Sequence, residues 1–364
     1  MASRIKTDLS IIVPVYKGKE YLSSLVSSVC ALKNQADDSK IELLLIDDGS
    51  PDGSASECQR IADMYRFVSA YEKENGGIAD TRNFGLRHAR GEYVCFMDQD
   101  DAIVPKVCIK AMKKIKEEQA DGCLWSSNHR FEDGTQRENV RILEERVYDK
   151  KEIRQALLDQ YLQKDEKEKL FHIPGYVWSG IYSKKFLEEN QICFFSFVDY
   201  EDDCIFMNQV MRHAEKIVQI PDVGYLWTCN LKSESHRSRY IENYWEKNQK
   251  LEQWFQCEIY DIFDGYRPSE IKVKQGKAIK IYNYVENECG IKNKASAREI
   301  VRRLKGFFDN SEYYQCIKNE EKPYGGTGMR RRIMHGLIRW RQYGMLFLFL
   351  RIYGWTVQRV KIKE

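Results

Sequence analysis

The residues best suited to chemistry are three aspartates that follow a short apolar segment. Tyr93–Met97 reads as a buried strand, and Asp98-Gln99-Asp100-Asp101 follows it directly. Like charges in a cleft repel each other, so carboxylates this close are costly unless a cation lies between them. Hard oxygen ligands suit Mg²⁺ or Mn²⁺, which proteins commonly share with substrate phosphates. The cluster predicts a divalent-cation site, and a polar turn on the surface is the alternative.

Two further polar loops follow apolar segments upstream. Asp47-Asp48-Gly49-Ser50 comes after the segment Ile41–Ile46, and Gly76-Gly77 comes after the short strand Val68–Tyr71. Adjacent glycines before a helix let the backbone approach a ligand closely and present free N–H groups. Arg82 would lie on the first turns of that helix, where it could reach a phosphate or form a surface ion pair.

These loops need a parallel sheet to bring them together. Leu9–Tyr16 reads as a strand that stops near Pro14, Glu20–Leu32 has the apolar spacing of a helix, and Ile41–Ile46 is a second buried strand. Ligands bind such sheets beyond the carboxyl ends of the strands. We therefore expect the polar loops that follow these strands to converge on one crevice.

The composition indicates a globular protein with one main domain and one or two smaller units. The chain has 364 residues, of which 43% are apolar and 31% are charged. Eleven cysteines without a CxxC pair favour the reduced thiols of a cytosolic protein over disulfides or a zinc site. The first eight residues lack a signal-peptide core, and no segment reaches the length needed to span a bilayer.

Charge is unevenly distributed along the chain. The net charge is +3, yet residues 322–364 contain ten Lys or Arg and one acid, so the remainder is acidic overall. After a linker-like segment at Pro323–Gly328, Met329–Trp355 combines arginines with the apolar run Met345–Leu350. This composition predicts a helix that lies in a membrane interface, and a helix docked on the body or on another subunit is the alternative. Nucleic acid is not expected as a partner, because no binding motif accompanies the basic residues.

Four segments, taken in order, resemble the motifs of the inverting glycosyltransferases of family 2, which have the GT-A nucleotide-diphospho-sugar transferase fold. They are Ser10–Tyr16, Ile46–Ser54, Asn75–Leu86, and Gly91–Asp100 with its aspartates. The resemblance is close over the first hundred residues and extends more loosely to about residue 230. It implies an α/β fold with a Rossmann-like mixed sheet, followed by a C-terminal helical region.

The resemblance also implies a donor site for a UDP-sugar. Asp48 would accept a hydrogen bond from the imide N–H of uracil, Asp98 would face the ribose, and Asp100 would bind Mn²⁺ or Mg²⁺. The cation would neutralise charge that develops on the leaving UDP. The implied contacts are, for the nucleotide sugar, Pro14, Val15, Tyr16, Asp48, Gly76, Arg82, Asp98 and Gln99, and, for the metal, Asp100, Asp101 and His236.

On the acceptor side, inversion is a single in-line displacement, so a carboxylate must take the proton of the attacking hydroxyl. The acidic segment after residue 200 resembles the family's motif for this base, which we assign to Asp202, with Glu201 and Asp203 as alternatives. Trp178 and Glu201 would contact the acceptor, although a tryptophan such as Trp178 can equally belong to the core. His236 lies in a segment that resembles the family's loop over the diphosphate, and an exposed loop histidine is its alternative.

We therefore expect a catalytic GT-A domain at 1–230, a helical region at 231–322 that packs on it, and a basic amphipathic segment at 323–364. The expected activity is metal-dependent transfer of one hexosyl or N-acetylhexosaminyl unit from a UDP-sugar to a glycan or lipid-linked glycan. This reaction would serve cell-surface polysaccharide synthesis, with the enzyme peripheral on the cytoplasmic face of the membrane. Transfer to polyprenyl phosphate or a protein, and a catalytically weak scaffold, are alternatives, and a homo-oligomer is left open.

Overall fold

The structure, a computed structural model, describes residues 7–36, 40–131, 133–161, 173–197, 201–229, 240–259, 262–263, 270–320 and 328–361. The chain divides into two compact units, Met1–Asn230 and Leu231–Glu364. A 3₁₀ turn at Val177–Ser179 lies in the first unit. The other elements of this unit are β1 (Thr7–Val15), α1 (Leu22–Gln35), β2 (Ile41–Asp47), α2 (Ser54–Met64), β3 (Val68–Glu72), α3 (Ile78–His88), β4 (Gly91–Phe96), β5 (Ala102–Ile103), α4 (Pro105–Glu118), β6 (Gly122–Arg130), β7 (Gln136–Val140), β8 (Arg146–Asp149), α5 (Lys150–Tyr161), β9 (Gly180–Ser183), α6 (Lys184–Glu189), α7 (Asp202–His213) and β10 (Lys216–Thr228).

Ten strands of the described residues form one mixed sheet. Its order is β3-β2-β1-β4-β9-β6-β10-β5, with β7 paired to β6 and β8 paired to β10. The neighbours β3, β2, β1 and β4 run parallel to one another, whereas β9 is antiparallel to both β4 and β6. The predicted α/β class with a mixed sheet is confirmed.

Strands β1, β2 and β4 end close together, because β1 pairs in register with β2 on one side and with β4 on the other. Val15 pairs with Asp47 on one side of β1, and Ile12 pairs with Phe96 on the other. All seven residues of β2 are buried, which is typical of a parallel strand covered on both faces. Beyond Ile12, β1 pairs only with β2. The N–H group that Pro14 lacks is therefore not required for a hydrogen bond to β4, and the strand continues to Val15.

A short antiparallel pairing supports the acidic loop that follows β4. The two residues of β5 pair with Tyr225 and Leu226 of β10, immediately after Asp101. Gly224, just before them, packs so closely that an added Cβ would lie 2.4 Å from the ring of Trp125. Glycine therefore lets β10 approach the core here, and Tyr225 comes to lie against the acidic loop.

The second unit is helical. Its helices are α8 (Tyr244–Glu258), α9 (Glu270–Cys289), α10 (Ala297–Asp309), α11 (Ser311–Lys318), α12 (Met329–Arg339) and α13 (Tyr343–Lys361). Residues 321–327, which hold most of the predicted linker, lie outside the described residues. Among the helices that are described, none combines the length and the apolarity needed to cross a bilayer. One apolar core joins these helices, and it includes Ile281, Val285, Ile300, Leu304, Phe308, Met334, Ile338, Leu346 and Leu350.

Candidate functional site

A buried arginine lies at the centre of the site. Arg82, on α3, has a side chain that is only 3% exposed, and its guanidinium pairs with three carboxylates. Its Nη2 donates to Oδ1 of Asp98 at 3.0 Å, and its Nη1 donates to Oδ2 of Asp202 at 2.8 Å and to Asp203. One guanidinium thus connects the loop after β4 with the start of α7, although 120 residues separate Arg82 from Asp202.

The neighbours of Arg82 explain why it stays charged. Burial opposes a buried cation, but the carboxylates of Asp203, Asp98 and Asp202 outweigh that cost and raise the pKa of Arg82. Its guanidinium also lies 5.3 Å from the ring centre of Phe194. Because this guanidinium is buried and paired with three carboxylates, Arg82 positions them, and its predicted phosphate contact stays a prediction.

Asn83 is a site residue that the sequence analysis did not assign. Its side-chain Nδ2 donates to the carbonyl of Phe194 at 2.7 Å, and its Oδ1 accepts from the amide of Phe194 at 2.9 Å. This two-way contact holds Phe194 over the guanidinium of Arg82. The signal available in the sequence was only that Asn83 follows Arg82 in the same motif.

The acidic residues at the start of α7 differ in how many of their oxygens are engaged. Asp203 accepts from Arg82 through Oδ1 and from the amide of Val177 through Oδ2, the latter at 3.2 Å. Burial raises the pKa of Asp203 to about 7, although Arg82 beside it favours the ionised form. Asp202 accepts from Arg82 through Oδ2 alone, and no donor from the described part of the chain contacts its Oδ1. Glu201 precedes the helix in a left-handed conformation with φ 68° and is exposed.

Asp101 supports the acidic loop from within the protein. It is 1% exposed, and it accepts from the hydroxyl of Tyr225 and from the amide of Thr228, each at 2.7 Å. The oxygen of Tyr225 also accepts from the amide of Asp98 at 3.0 Å. Both oxygens of Asp101 are therefore engaged, so the predicted metal contact at Asp101 is replaced by a structural one. Tyr225, which holds this loop, is a second site residue without a role predicted from the sequence.

Asp100, a predicted metal ligand, and Asp98, which was predicted to face the ribose, are the candidate metal ligands in the described part of the acidic loop. Burial, reinforced by Asp98, raises the pKa of Asp100 to about 6, and no other residue of the described ranges donates to its carboxylate. No group of three or more His, Cys, Asp or Glu in the described part of the chain could hold a metal by itself. Two carboxylates fit Mg²⁺ or Mn²⁺ when substrate phosphates complete the coordination. The third predicted ligand, His236, lies outside the described residues.

Asp48 organises the glycine loop that precedes α3. Its carboxylate accepts from the amides of Gly76 and Gly77, each at 2.9 Å, and from Nζ of Lys73 at 2.6 Å. Burial opposes the ionisation of Asp48, but the hydrogen bonds from Lys73 and Gly76 outweigh that cost and lower its pKa. Gly77 has φ 83° and ψ 171°, a conformation that only glycine adopts readily. The predicted contact of Asp48 with uracil stays a prediction.

Gln99 holds the loop after β1. Its amide oxygen accepts from the amide of Tyr16 at 3.0 Å, and its Nε2 donates to the carbonyl of Tyr16 at 3.1 Å. The side chain of Gln99 thus holds the backbone of the predicted nucleotide platform, and its own contact with the nucleotide stays a prediction. Pro14 and Val15 lie at the end of β1, beside Tyr16, whose ring is 38% exposed.

Three aromatic rings are stacked beside the acidic residues near the start of α7, which are the candidates for the general base. Trp178 is 3% exposed and lies between Tyr176, at 4.7 Å, and Tyr225, at 4.5 Å, with the planes nearly parallel on both sides. Both faces of Trp178 are covered, so it offers no face to a sugar, and its predicted acceptor contact is replaced by a core position. Tyr176 is 44% exposed and is the ring of this stack that remains open.

The chain is similar to known glycosyltransferases. Residues 10–181 match the family model described as Glycosyl transferase family 2. The uncharacterized glycosyltransferase EpsJ of Bacillus subtilis is 23% identical over 356 residues, which cover 95% of this chain and 96% of EpsJ. The minor teichoic acid biosynthesis protein GgaB of the same organism is 36% identical over 97 residues, which cover 26% of this chain and 11% of GgaB.

A solved structure has the same fold. S. aureus TarS 1–349 in complex with UDP-GlcNAc has a TM-score of 0.56 and 18% sequence identity, and the match covers 95% of this chain and 90% of that one. The likeness confirms the predicted fold.

Replacing Arg82 with methionine removes the cation shared by three carboxylates. We expect a loss of about 3–5 kcal/mol in the free energy of unfolding, because the buried charges then lack compensation. Denaturant titration of the variant measures this change. The matched control is Arg87→Met on the same helix, where the arginine is exposed, and it should change stability by no more than about 0.5 kcal/mol. Equal stability of the two variants would contradict the central role of Arg82.

Proposed function

We propose, from the match of residues 10–181 to glycosyl transferase family 2 and the similarity to EpsJ, that the chain is an inverting enzyme of this family in cell-surface polysaccharide synthesis. It moves one sugar from a UDP-sugar to a hydroxyl of a glycan or lipid-linked glycan. The observation that carries this proposal is the contact of Arg82 with Asp98 on the donor side and with Asp202 on the acceptor side. The nucleotide sugar is what the family match suggests, and TarS, which was solved with UDP and with UDP-GlcNAc, supports uracil as its base.

The donor would be held by the loops at the carboxyl ends of β1, β2 and β4. The uracil would rest on Pro14-Val15-Tyr16, whose conformation Gln99 maintains. Asp48 holds the glycine loop through the amides of Gly76 and Gly77, and it would also accept a hydrogen bond from the uracil imide. Asp98 and Asp100 would hold Mn²⁺ or Mg²⁺, which when bound supplies a Lewis acid for the diphosphate leaving group.

Asp202 would act as the general base. A base must reach the attacking hydroxyl through an oxygen that can accept its proton, and Oδ1 of Asp202 has no donor among the described residues. The contact of Arg82 with Oδ2 fixes the orientation of this carboxylate. Asp203, with both oxygens engaged, would keep Arg82 and Val177 in place.

The acceptor would lie next to Asp202. Val177 donates its amide to Asp203, so the exposed ring of Tyr176 is one residue away from the carboxylate cluster. An aromatic ring open on one face suits the apolar face of a sugar, and Glu201 would supply a polar contact beside it. We assign the acceptor contacts to Tyr176 and Glu201. Sugar chains that grow on a membrane lipid fit a peripheral location on the cytoplasmic face of the membrane.

UDP should raise the unfolding midpoint of the protein only when Mn²⁺ or Mg²⁺ is present. A ligand at about 100 times its Kd stabilises the native state by about 2.7 kcal/mol. A thermal-shift titration with UDP, GDP and each metal measures the effect. Asp100→Asn should abolish the part that depends on metal, whereas Asp63→Asn, an exposed aspartate on α2, should retain it. A shift with GDP alone would contradict uridine, and no shift with any nucleotide would contradict the donor site.

The three acids near the start of α7 can be separated by isosteric amide variants. Asp202→Asn should lower kcat for release of UDP from a UDP-sugar, with water as the acceptor, by about 10²–10⁴-fold, because the proton acceptor is lost. Glu201→Gln should leave kcat within about twofold. Nucleotide binding, read from the thermal shift with UDP, should be the same in both variants. A folded Asp203→Asn variant with a larger loss of kcat than Asp202→Asn would reassign the base to Asp203.

A further inference from the structure

The last helix has two apolar faces, and only one of them is buried. On the inner face, Tyr343, Leu346 and Leu350 belong to the core of the second unit. The outer face carries four large apolar side chains that are 53–60% exposed, namely Met345, Leu348, Ile352 and Trp355. A helix on the surface of a globular protein normally presents polar groups on its outer face, so this face of α13 is exceptional.

The spacing of these side chains makes them one continuous surface. Positions 345, 348, 352 and 355 follow one another at intervals of three and four residues, which places them on a single face over three turns. Exposed apolar residues that are scattered singly are ordinary, whereas a contiguous apolar patch marks a site of interaction. The outer face of α13 therefore has the properties of a binding surface.

The preceding helix has a similar surface. On α12, Met329 and Ile333 lie on one face with Trp340, which caps the helix, and Met329 and Trp340 are each 79% exposed. Gly336 lies between them, and a side chain added there would meet no atom within 4 Å. The opposite face carries the buried residue Ile338. Two consecutive helices thus each leave an apolar face open.

Charge indicates what binds this surface. Residues 328–361 contain eight Lys or Arg and no Asp or Glu. Arg332 and Arg339 are exposed on α12 beside its apolar face, and neither has an ion-pair partner within the described ranges. Apolar side chains flanked by arginines and tryptophans suit the boundary between acyl chains and anionic headgroups. A second copy of the chain is disfavoured, because it would bring two sets of these positive charges together without an acid in either segment.

We propose that α12 and α13 form the docking surface for an anionic lipid bilayer, with the apolar side chains of α13 in the acyl boundary and the arginines of α12 at the phosphates. The helices lie in the interface and do not cross it. This inference deepens the peripheral location proposed above, and lipid binding is measured separately from sugar transfer.

The test is flotation of the full-length protein with vesicles. It should bind vesicles of equal parts phosphatidylglycerol and phosphatidylcholine at least tenfold more tightly than pure phosphatidylcholine, and binding should weaken with salt. The double variant Leu348→Glu, Ile352→Glu should lose binding by more than tenfold. Leu143→Glu, at an apolar residue 79% exposed in the first unit, is the matched control and should bind normally.

The arginines are tested in the same assay. Arg332→Gln with Arg339→Gln should weaken binding to the anionic vesicles by about fivefold per arginine. Arg298→Gln with Arg302→Gln, both exposed on α10, should leave it unchanged.

Binding that is unaffected by Leu348→Glu, Ile352→Glu would overturn the proposal. So would sedimentation evidence for a dimer that this double variant dissociates, because a second copy would then cover the surface. Metal-dependent binding of UDP in the same variant shows whether the donor site is intact, which keeps the two proposals separable.

Discussion

The first unit is organised around one buried cation, Arg82, whose charge is balanced by carboxylates. Arg82 cannot be placed in the interior unless acids surround it, and the acids that do so come from two distant parts of the chain. Two of these acids, Asp98 and Asp202, are the proposed donor-side residue and the proposed base. The same electrostatic requirement that allows the arginine to be buried therefore sets the distance between these two carboxylates. Asn83 and Phe194 contribute to this arrangement by covering the guanidinium.

A second support fixes the acidic loop from the other side. The hydroxyl of Tyr225 donates to Asp101 and accepts from the amide of Asp98, so that one phenol group connects the two ends of the loop. Trp178 stacks on the same tyrosine, and the segment that carries Trp178 also supplies the amide that binds Asp203. The acidic loop and the proposed base are thus connected by an aromatic path as well as by Arg82. Of the three aspartates in this loop, Asp100 is the one whose carboxylate accepts from no other residue of the described ranges, which leaves it open to a cation.

The local features of this site were predictable from the sequence, whereas the long-range contacts were not. Strands β1, β2 and β4 were predictable because buried parallel strands read as apolar runs, and the loops after them were predictable because aspartate and glycine cluster there. The partners of Arg82 were not, because side-chain direction depends on tertiary packing across more than a hundred residues. The same limit applies to Trp178 and Asp101, whose residue types suit a ligand site and a core site equally well. Periodicity predicts which element a residue belongs to, whereas burial and hydrogen bonding decide which chemical role it has.

The order of these partners along the chain has a consequence for synthesis on the ribosome. Arg82 and Asp98 emerge early, but Asp202 and Asp203 follow more than a hundred residues later, and the strand with Tyr225 later still. Until those residues emerge, Arg82 on α3 lacks two of its three counter-charges, and the acidic loop lacks its support from Tyr225. Vectorial folding of this unit therefore cannot complete the active site before about residue 228, and a chain that terminates earlier would retain most of the strands without a formed catalytic centre.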